Sequence, residues 1–289
     1  MNKFAVIDIG SNSVRLMMIA SGKVLYKTIK TTRLGEGLAF SARLCDAAKS
    51  RTLDALIAFV NQAKSENAEK IVAFATAAMR SAENGREFAL EVEDKIGLKI
   101  EIISGDEEAQ IGILGALGKK DGTIIDIGGA STELIVQKDA KVTYRNSLDI
   151  GVVRIRDLCE RSKSRTRELS LETVKKYGEL KLFGATYAIG GTATTIAALL
   201  LNLEKYDGNA VSKMVVTREE VRKLADELFS KSVEEIAQHP CVDNLRADVL
   251  AGGVEWLYAI MEYLGVAELC ISDGDNLEGY AISRGLLNA

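Results

Sequence analysis

Residues 6–16 read VIDIGSNSVRL, and residues 124–134 read IIDIGGASTEL. Each stretch is an apolar run that ends beside an aspartate, followed by a turn of small residues and a second apolar run. This pattern predicts two strands joined by a tight turn, with Asp8 or Asp126 near the end of the first strand. Because the stretch occurs once in each half, we predict a duplicated fold whose two loops face each other across a cleft.

The composition of these turns indicates the kind of ligand they bind. Glycine leaves no Cβ to block a close approach, so successive N–H groups can converge on an anion, and serine hydroxyls add further donors. An aspartate beside such a loop would repel a phosphate unless a cation lay between them, which points to a metal-bound phosphate. The alternative is an ordinary hairpin whose glycine and serine only satisfy the turn. Two copies in register argue against that alternative.

A third segment of this kind is Ala188-Ile189-Gly190-Gly191-Thr192-Ala193. An apolar strand that passes through Gly-Gly-Thr into a helix places free N–H groups and the positive end of the helix dipole together. The alternative is that Thr192 is only the N-cap of the helix. Beside the other two loops, we predict that this segment forms a third wall of the site.

Composition excludes several classes of protein. The 289 residues carry a formal net charge of −4, so no broad basic surface argues for nucleic-acid binding. Four scattered cysteines without a C-x-x-C spacing are typical of reduced thiols. The apolar run at the N-terminus is too short for a signal peptide, and no stretch approaches the length of a membrane span. We therefore expect a cytoplasmic protein without a membrane partner.

The order of predicted elements repeats in the two halves. Each half begins with three consecutive strands and continues with alternating helices and strands. We predict a first domain over residues 1–118 and a second over residues 119–275, with no flexible linker between them. The elements expected in the first half are a strand at 23–33, a helix at 44–64, a strand at 70–76, a helix at 83–96, a strand at 99–104 and a helix at 107–117. Those expected in the second half are strands at 122–127, 133–137, 142–147, 187–189 and 268–272, and helices at 152–162 and 193–201.

Several motifs in the same order resemble one known family. They are the segment from Asp8 to Leu16, residues 33–38 (RLGEGL), 75–80 (ATAAMR), 103–109 (ISGDEEA) and 126–133 (DIGGASTE), Gly190-Gly191-Thr192, and Arg246-Ala247-Asp248. Together they resemble the exopolyphosphatase and guanosine pentaphosphate phosphatase family, within the actin, sugar-kinase and Hsp70 fold superfamily. The resemblance implies an α/β fold of two ribonuclease-H-like domains around an interdomain cleft. It also implies that the last helix, 276–289, packs on the first domain.

The resemblance further implies the reaction and the residues that perform it. It implies Mg²⁺-dependent (or Mn²⁺-dependent) hydrolysis of a terminal phosphoanhydride, and it makes a homodimer plausible. Glu107, at the start of a helix, matches the family's catalytic glutamate and would orient the attacking water. Glu108 is the neighbouring alternative, and either glutamate can instead be an acidic residue favoured at a helix N-terminus.

The other expected site residues lie in the three glycine-containing segments, except Arg80, which the resemblance supplies through the motif at residues 75–80. Asp126 and Glu133 are the expected metal ligands, and Asp8 is expected to hold a metal-bound water. Arg80 would neutralise phosphate charge with its planar guanidinium, the alternative being a surface helix cap. The residues expected to bind phosphate beside Arg80 are Ser11, Asn12, Ser13, Gly128, Gly129, Ser131, Thr132, Gly191 and Thr192.

The sequence departs from the family pattern at Ala130 and Gln110, it matches the family's C-terminal motif only loosely at residues 273–279, and it leaves the substrate open. Ala130 replaces a third glycine in the second loop, and Gln110 stands where the family commonly has arginine. Polyphosphate and guanosine pentaphosphate end in the same anhydride, so both remain candidate substrates. A kinase of the same superfamily would use the same loops but a different acceptor. A non-catalytic sensor of guanosine tetra- or pentaphosphate would bind without hydrolysis.

Overall fold

The structure is a computed structural model that describes residues 2–212 and 214–288. The chain divides into two compact units, Met1–Gly115 with Asn276–Ala289, and Ala116–Asp275. Each unit contains one mixed β-sheet with α-helices packed on it. The predicted class, a duplicated α/β fold, is therefore confirmed.

The first unit is built on a five-stranded sheet. Strands β1, β2 and β3 form an antiparallel meander, and β4 and β5 add to β1 in parallel, so that the strand order is β3-β2-β1-β4-β5. Its strands are β1 (Lys3–Ile9), β2 (Ser13–Ala20), β3 (Lys23–Thr31), β4 (Lys70–Ala75) and β5 (Ile100–Ile102). Its helices are α1 (Asp46–Ser65), α2 (Ala77–Ser81), α3 (Gly85–Ile96), α4 (Gly105–Ala116) and α12 (Asn276–Ser283).

Both faces of this sheet are covered by apolar side chains. Strand residues alternate between the faces, so Ile7 and Ile9 of β1 pack with α1 and α3 in one core cluster. Val6 of β1 lies on the other face, in a second cluster with Ile111 of α4 and Leu277 of α12. The near-continuous burial of β1 and β2 explains why their sequences are apolar throughout.

The second unit repeats this plan with one additional strand. Its order is β10-β11-β9-β6-β7-β8, in which β6, β7 and β8 form the antiparallel meander and β9 joins β6 in parallel. Its strands are β6 (Gly122–Ile127), β7 (Thr132–Lys138), β8 (Lys141–Leu148), β9 (Ala185–Ile189), β10 (Val215–Thr217) and β11 (Glu268–Ile271). Its α-helices are α5 (Val152–Cys159), α6 (Lys163–Thr173), α7 (Gly190–Leu200), α8 (Gly208–Val211), α9 (Arg218–Ser230), α10 (Val233–Ala237) and α11 (Ala247–Tyr263), and a 3₁₀ turn spans Val174–Tyr177.

The core of the second unit is organised around α11. Twelve of its residues are buried, among them Trp256, which is fully enclosed. Apolar residues of α11 pack with residues of α5, α7 and α9 and with the inner face of the sheet in one cluster.

Among the described helices, none is long and apolar enough to cross a membrane.

Several elements differ from the sequence prediction; for example, α5 ends at Cys159 rather than at residue 162, and α12 ends at Ser283 rather than at residue 289. Helix α2 and strand β10 are too short, at five and three residues, to produce a recognisable period. Helix α7 begins at Gly190, three residues earlier than predicted. Gly190 has φ +81°, a conformation that few other residues adopt, and this lets β9 turn directly into the helix.

Candidate functional site

The two repeated stretches fold into the same hairpin. In the first unit Asp8 lies opposite Arg15, and the N–H of Gly10 donates to the carbonyl of Ser13 at 3.0 Å. In the second unit Asp126 lies opposite Glu133, and the N–H of Gly128 donates to the carbonyl of Ser131, also at 3.0 Å. We call residues 10–13 the first loop and residues 128–131 the second loop.

The carbonyl groups of both loops are held by the chain that follows each meander. The Ser11 carbonyl accepts from the N–H of Gly35 at 2.7 Å, and the Asn12 carbonyl accepts from the N–H groups of Thr32 and Arg33 at 3.0 and 2.9 Å. The C=O and N–H of a trans peptide point in opposite directions. The N–H groups of Asn12 and Ser13 are therefore directed away from this segment, as an anion-binding loop requires.

The second loop has the same arrangement against α5. The carbonyl of Gly128 accepts from the N–H of Val152 at 3.0 Å, and that of Gly129 accepts from the N–H of Val153 at 2.9 Å. The N–H groups of Gly129 and Ala130 therefore point away from α5. Alanine at position 130 keeps this N–H donor, so the departure from a third glycine does not remove a backbone group of the loop.

Asp8 and Arg15 form an ion pair at the base of the first loop. Nε of Arg15 donates to Oδ2 of Asp8 at 3.0 Å, and Nη2 of Arg15 contacts the same oxygen. Asp8 is buried, with 3% of its surface exposed. Asn12, in the loop above it, has its Oδ1 atom buried without a hydrogen-bond partner. The first loop therefore offers a polar acceptor that the folded chain itself does not use.

Glu108 is the buried carboxylate of this half-site. Nη1 of Arg80 donates to Oε2 of Glu108 at 2.8 Å and to the carbonyl of Ile103 at 3.1 Å. Burial raises the pKa of the Glu108 carboxyl, which the nearby Asp8 carboxylate raises further, while Arg80 and a hydrogen bond with Thr76 lower it. The net shift is upward. Such a carboxylate is held in one orientation and is more basic than an exposed one.

Glu107 points to a different part of the first unit. Its Oε1 atom lies 3.3 Å from Nη2 of Arg284, which also binds Glu101 at 2.5 Å, and 39% of its side chain is exposed. Its N–H donates to Oγ of Ser104 at 3.1 Å at the start of α4. The structure thus places Glu108, rather than Glu107, beside Asp8 and Arg80.

Asp126 and Glu133 are paired across β6 and β7 in the second unit. Both are buried, and the hydroxyl of Ser147 donates to Oε1 of Glu133 at 2.7 Å. Two carboxylates directly opposite on neighbouring strands repel each other. Carboxylate oxygens are ligands that suit Mg²⁺, which is usually held by one or two carboxylates together with substrate phosphates. The described residues contain no group of three or more acidic, histidine or cysteine side chains placed so that together they could hold a metal ion. The pair Asp126 and Glu133 therefore fits a Mg²⁺ ion whose other ligands come from the substrate phosphates.

The start of α7 closes around Asp126 and brings in an arginine. An ideal Cβ on Gly190 would lie 2.7 Å from Oδ1 of Asp126, and one on Gly191 would lie 2.5 Å from Nη2 of Arg246. The two glycines are therefore in contact with a carboxylate and a guanidinium. Arg246 is a site residue that the sequence analysis did not select, although it belongs to one of the quoted motifs.

Two of the predicted phosphate ligands are used inside the second unit. The hydroxyl of Thr132 donates to the carbonyl of Ile150 at 2.5 Å and accepts from Nε1 of Trp256 at 2.9 Å. The hydroxyl of Thr192 donates to the carbonyl of Ile127 at 3.3 Å. Ser13 and Ser131 lie in the two loops, as predicted, and both are buried.

Valine at position 132 tests whether Thr132 is structural. We expect Thr132→Val to lower the free energy of unfolding by about 1–3 kcal/mol, because the indole N–H of Trp256 is left without a partner. We expect kcat/KM to stay unchanged. Urea unfolding is followed by the fluorescence of Trp256, the single tryptophan. Thr132→Ser, which keeps the hydroxyl, is the control. A loss of activity in the valine variant without a loss of stability would assign Thr132 to the substrate.

The site residues therefore form two groups. Asp8, the first loop, Arg80 and Glu108 lie together in the first unit. Asp126, Glu133, the second loop, Gly190, Gly191 and Arg246 lie together in the second unit.

Comparison with known proteins identifies the family. A sequence model of the Ppx/GppA phosphatase family matches residues 17–286. The chain is 28% identical to exopolyphosphatase 2 of Mycobacterium tuberculosis, over 98% of each protein. It is also 28% identical to guanosine-5'-triphosphate,3'-diphosphate pyrophosphatase of Aeromonas hydrophila, over 96% of the chain and 58% of that protein.

A solved structure agrees with this assignment. The Ppx/GppA family member of Aquifex aeolicus superposes with a TM-score of 0.77 at 29% identity, over 99% of this chain and 98% of that one. The resemblance of the motifs to this family and to the actin-like fold is confirmed. The chain therefore belongs to the Ppx/GppA phosphatase family, whose named members are hydrolases of phosphoric anhydrides.

Proposed function

We propose that this protein removes the terminal phosphate of inorganic polyphosphate, of guanosine pentaphosphate, or of both, in a reaction that requires Mg²⁺ or Mn²⁺. The observation that carries the proposal is the buried Glu108, held by Arg80 at 2.8 Å and close enough to Asp8 for their charges to interact. A hydrolase needs such a base to orient water, whereas a protein that only binds nucleotides does not.

The chain's own groups divide the work of the reaction. The N–H groups of the two loops and the hydroxyls of Ser13 and Ser131 hold phosphoryl oxygens. Arg80 orients Glu108 and adds positive charge near the phosphoryl group. Glu108 accepts a hydrogen bond from the attacking water and takes its proton as the new P–O bond forms and the anhydride bond breaks. The raised pKa of Glu108 brings its basicity closer to that needed at neutral pH.

Asp126 and Glu133 are the residues that would hold the divalent cation. When bound, the cation neutralises phosphate charge and stabilises the leaving oxygen. Asp8 is engaged by Arg15, so it would not bind the cation directly and would at most hold a water of the cation.

Phosphate release tests this proposal directly. The wild-type protein is assayed with guanosine pentaphosphate, tripolyphosphate and long-chain polyphosphate, first with EDTA and then after addition of Mg²⁺ or Mn²⁺. We expect release that EDTA abolishes and the cation restores. Comparing kcat/KM among the three substrates ranks them.

The two alternative functions, a nucleotide sensor and a kinase, would give different results in this assay. Binding of guanosine tetra- or pentaphosphate without release would make the protein a sensor. Transfer of phosphate from ATP to an added acceptor, with no release from the three substrates, would make it a kinase. A cytoplasmic location and a homodimer also remain part of the proposal, and gel filtration with light scattering tests the latter.

A further inference from the structure

Arg154 is a positively charged residue beside the second loop. It is the third residue of α5, and its backbone N–H donates to the carbonyl of Gly129 at 3.3 Å. Its Nε atom is buried without a hydrogen-bond partner. Within residues 2–212 and 214–288, no carboxylate forms an ion pair with it. A buried donor of this kind needs an explanation, and since the Nε atom of Arg156 is buried in the same way, the lack of an acidic partner among the described residues is what sets Arg154 apart on this helix.

The position of Arg154 is unfavourable in the protein without a ligand. The first turn of α5 contains no acidic side chain, and the N-terminal end of a helix is its positive end. The guanidinium therefore adds positive charge to the positive end of the α5 helix dipole.

The direction of the side chain connects Arg154 with the second loop. Side chains on a helix lean toward its N-terminus, and the N-terminus of α5 is bonded to the carbonyls of Gly128 and Gly129. The same peptide groups direct the N–H groups of Gly129 and Ala130 away from α5. An anion at the loop would gain both these donors and the guanidinium.

The neighbouring arginine on the same helix shows the contrast. Arg156 lies 3.3 Å from Oδ1 of Asp157 and 3.5 Å from Oδ2 of Asp248. Arg15 and Arg80 are likewise paired, with Asp8 and Glu108. Unlike Arg15, Arg80 and Arg156, Arg154 therefore forms no ion pair with a described carboxylate.

We infer that Arg154 binds a phosphate group of the substrate at the second loop, as a binding residue of the site. This inference rests on the proposed function, since it supposes a phosphate chain as the ligand. A guanidinium binds two phosphoryl oxygens at once with its planar fork, which lysine cannot do.

Substitution of Arg154 by methionine tests the inference. With tripolyphosphate as substrate we expect Arg154→Met to raise KM by about 10- to 100-fold, because one charge-assisted hydrogen-bonded pair is lost. We expect kcat to change much less, and Arg154→Lys to recover only part of the loss. The melting temperature of the unliganded variant should equal or exceed that of the wild type.

Arg156→Met is the matched control. It removes the same side chain from the same helix but breaks ion pairs with acids, so it should lower the melting temperature and leave KM close to the wild-type value. An unchanged KM for Arg154→Met would overturn the inference. So would a fall in melting temperature like that of Arg156→Met with no change in KM.

Binding without turnover separates this inference from the proposed function. The stabilisation of the protein by tripolyphosphate is measured as a shift in melting temperature, in wild type and in Arg154→Met. If the wild type binds but hydrolyses nothing, the proposed function fails, and loss of the shift in Arg154→Met still supports the inference. If neither tripolyphosphate nor guanosine pentaphosphate shifts the melting temperature of the wild type, both fail.

Discussion

Glu108→Gln is expected to lower kcat for phosphate release by about 10²- to 10⁴-fold, the range that a general base contributes. Glutamine keeps the size of the side chain and can still accept a hydrogen bond from Arg80, but it cannot take a proton from water. Its amide is neutral, so the desolvation that raises the pKa of Glu108 no longer costs free energy. We therefore expect the variant to fold and to bind substrate with little change in affinity.

Glu107→Gln is the matched control for this prediction. The two glutamates are adjacent and begin the same helix, but Glu107 is half-exposed and pairs with Arg284 at 3.3 Å. Exposed ion pairs of this kind contribute about 0–1 kcal/mol, so we expect kcat within a few-fold of wild type. Melting temperatures confirm that both variants are folded. The reverse pattern, with activity lost only in the Glu107 variant, would return the catalytic role to Glu107.

Gly190→Ala is expected to lower kcat by about 10²-fold, because its new methyl group occupies the space of a carboxylate oxygen of Asp126, the proposed metal ligand. An ideal Cβ at position 190 lies 2.7 Å from Oδ1 of Asp126. The buried carboxylate must therefore move, and a displacement of about 1 Å in an active site costs on the order of 10²-fold in rate. Alanine at a positive φ also lowers the free energy of unfolding, by about 1–2 kcal/mol.

Gly265→Ala separates the steric effect from the backbone strain. Gly265 lies in the same unit and has φ +68°, but an added Cβ would meet nothing within 4 Å. We expect a similar loss of stability in urea unfolding with normal phosphate release. If Gly190→Ala retained full activity, Asp126 would not need its present position, and its assignment as a metal ligand would fail.

The duplicated hairpins were predictable because the signal for a strand and the signal for a turn both lie within a few neighbouring residues. A strand of β1 or β6 shows as an apolar run, and the turn shows as glycine and serine between two such runs. Registers that place Asp8 opposite Arg15, and Asp126 opposite Glu133, then follow from the length of the turn. The repeat itself indicated the duplication.

The sequence also contained a signal that bears on the choice between Glu107 and Glu108, which the prediction of Glu107 did not use. Residues three and four positions apart share one face of a helix. Glu108 therefore lies on the same face as Ile111 and Gly112, which are buried in α4. Glu107 is followed at those distances by Gln110 and Ile111, and Gln110 is exposed. The apolar period of α4 thus favoured Glu108 as the inward-facing carboxylate.

Other features of the site depend on contacts that no local pattern encodes. The hydroxyl of Thr132 is engaged by Trp256, which is distant in sequence. Arg246 approaches Gly191 from the start of a different helix. Sequence spacing carries no information about either contact, and so Thr132 was predicted as a phosphate ligand and Arg246 was not selected.

Because of the C-terminal helix α12, the two units complete their hydrophobic cores in a different order from that in which their synthesis begins. The second unit is one continuous segment of chain. The first unit is not, because Leu277, Tyr280, Ala281 and Leu286 complete a core whose other members include Val6 and Phe74. A ribosome makes all of the second unit before it makes these four residues. The unit that is translated first is therefore the one that completes its core last, and until then one face of its sheet lacks part of its covering.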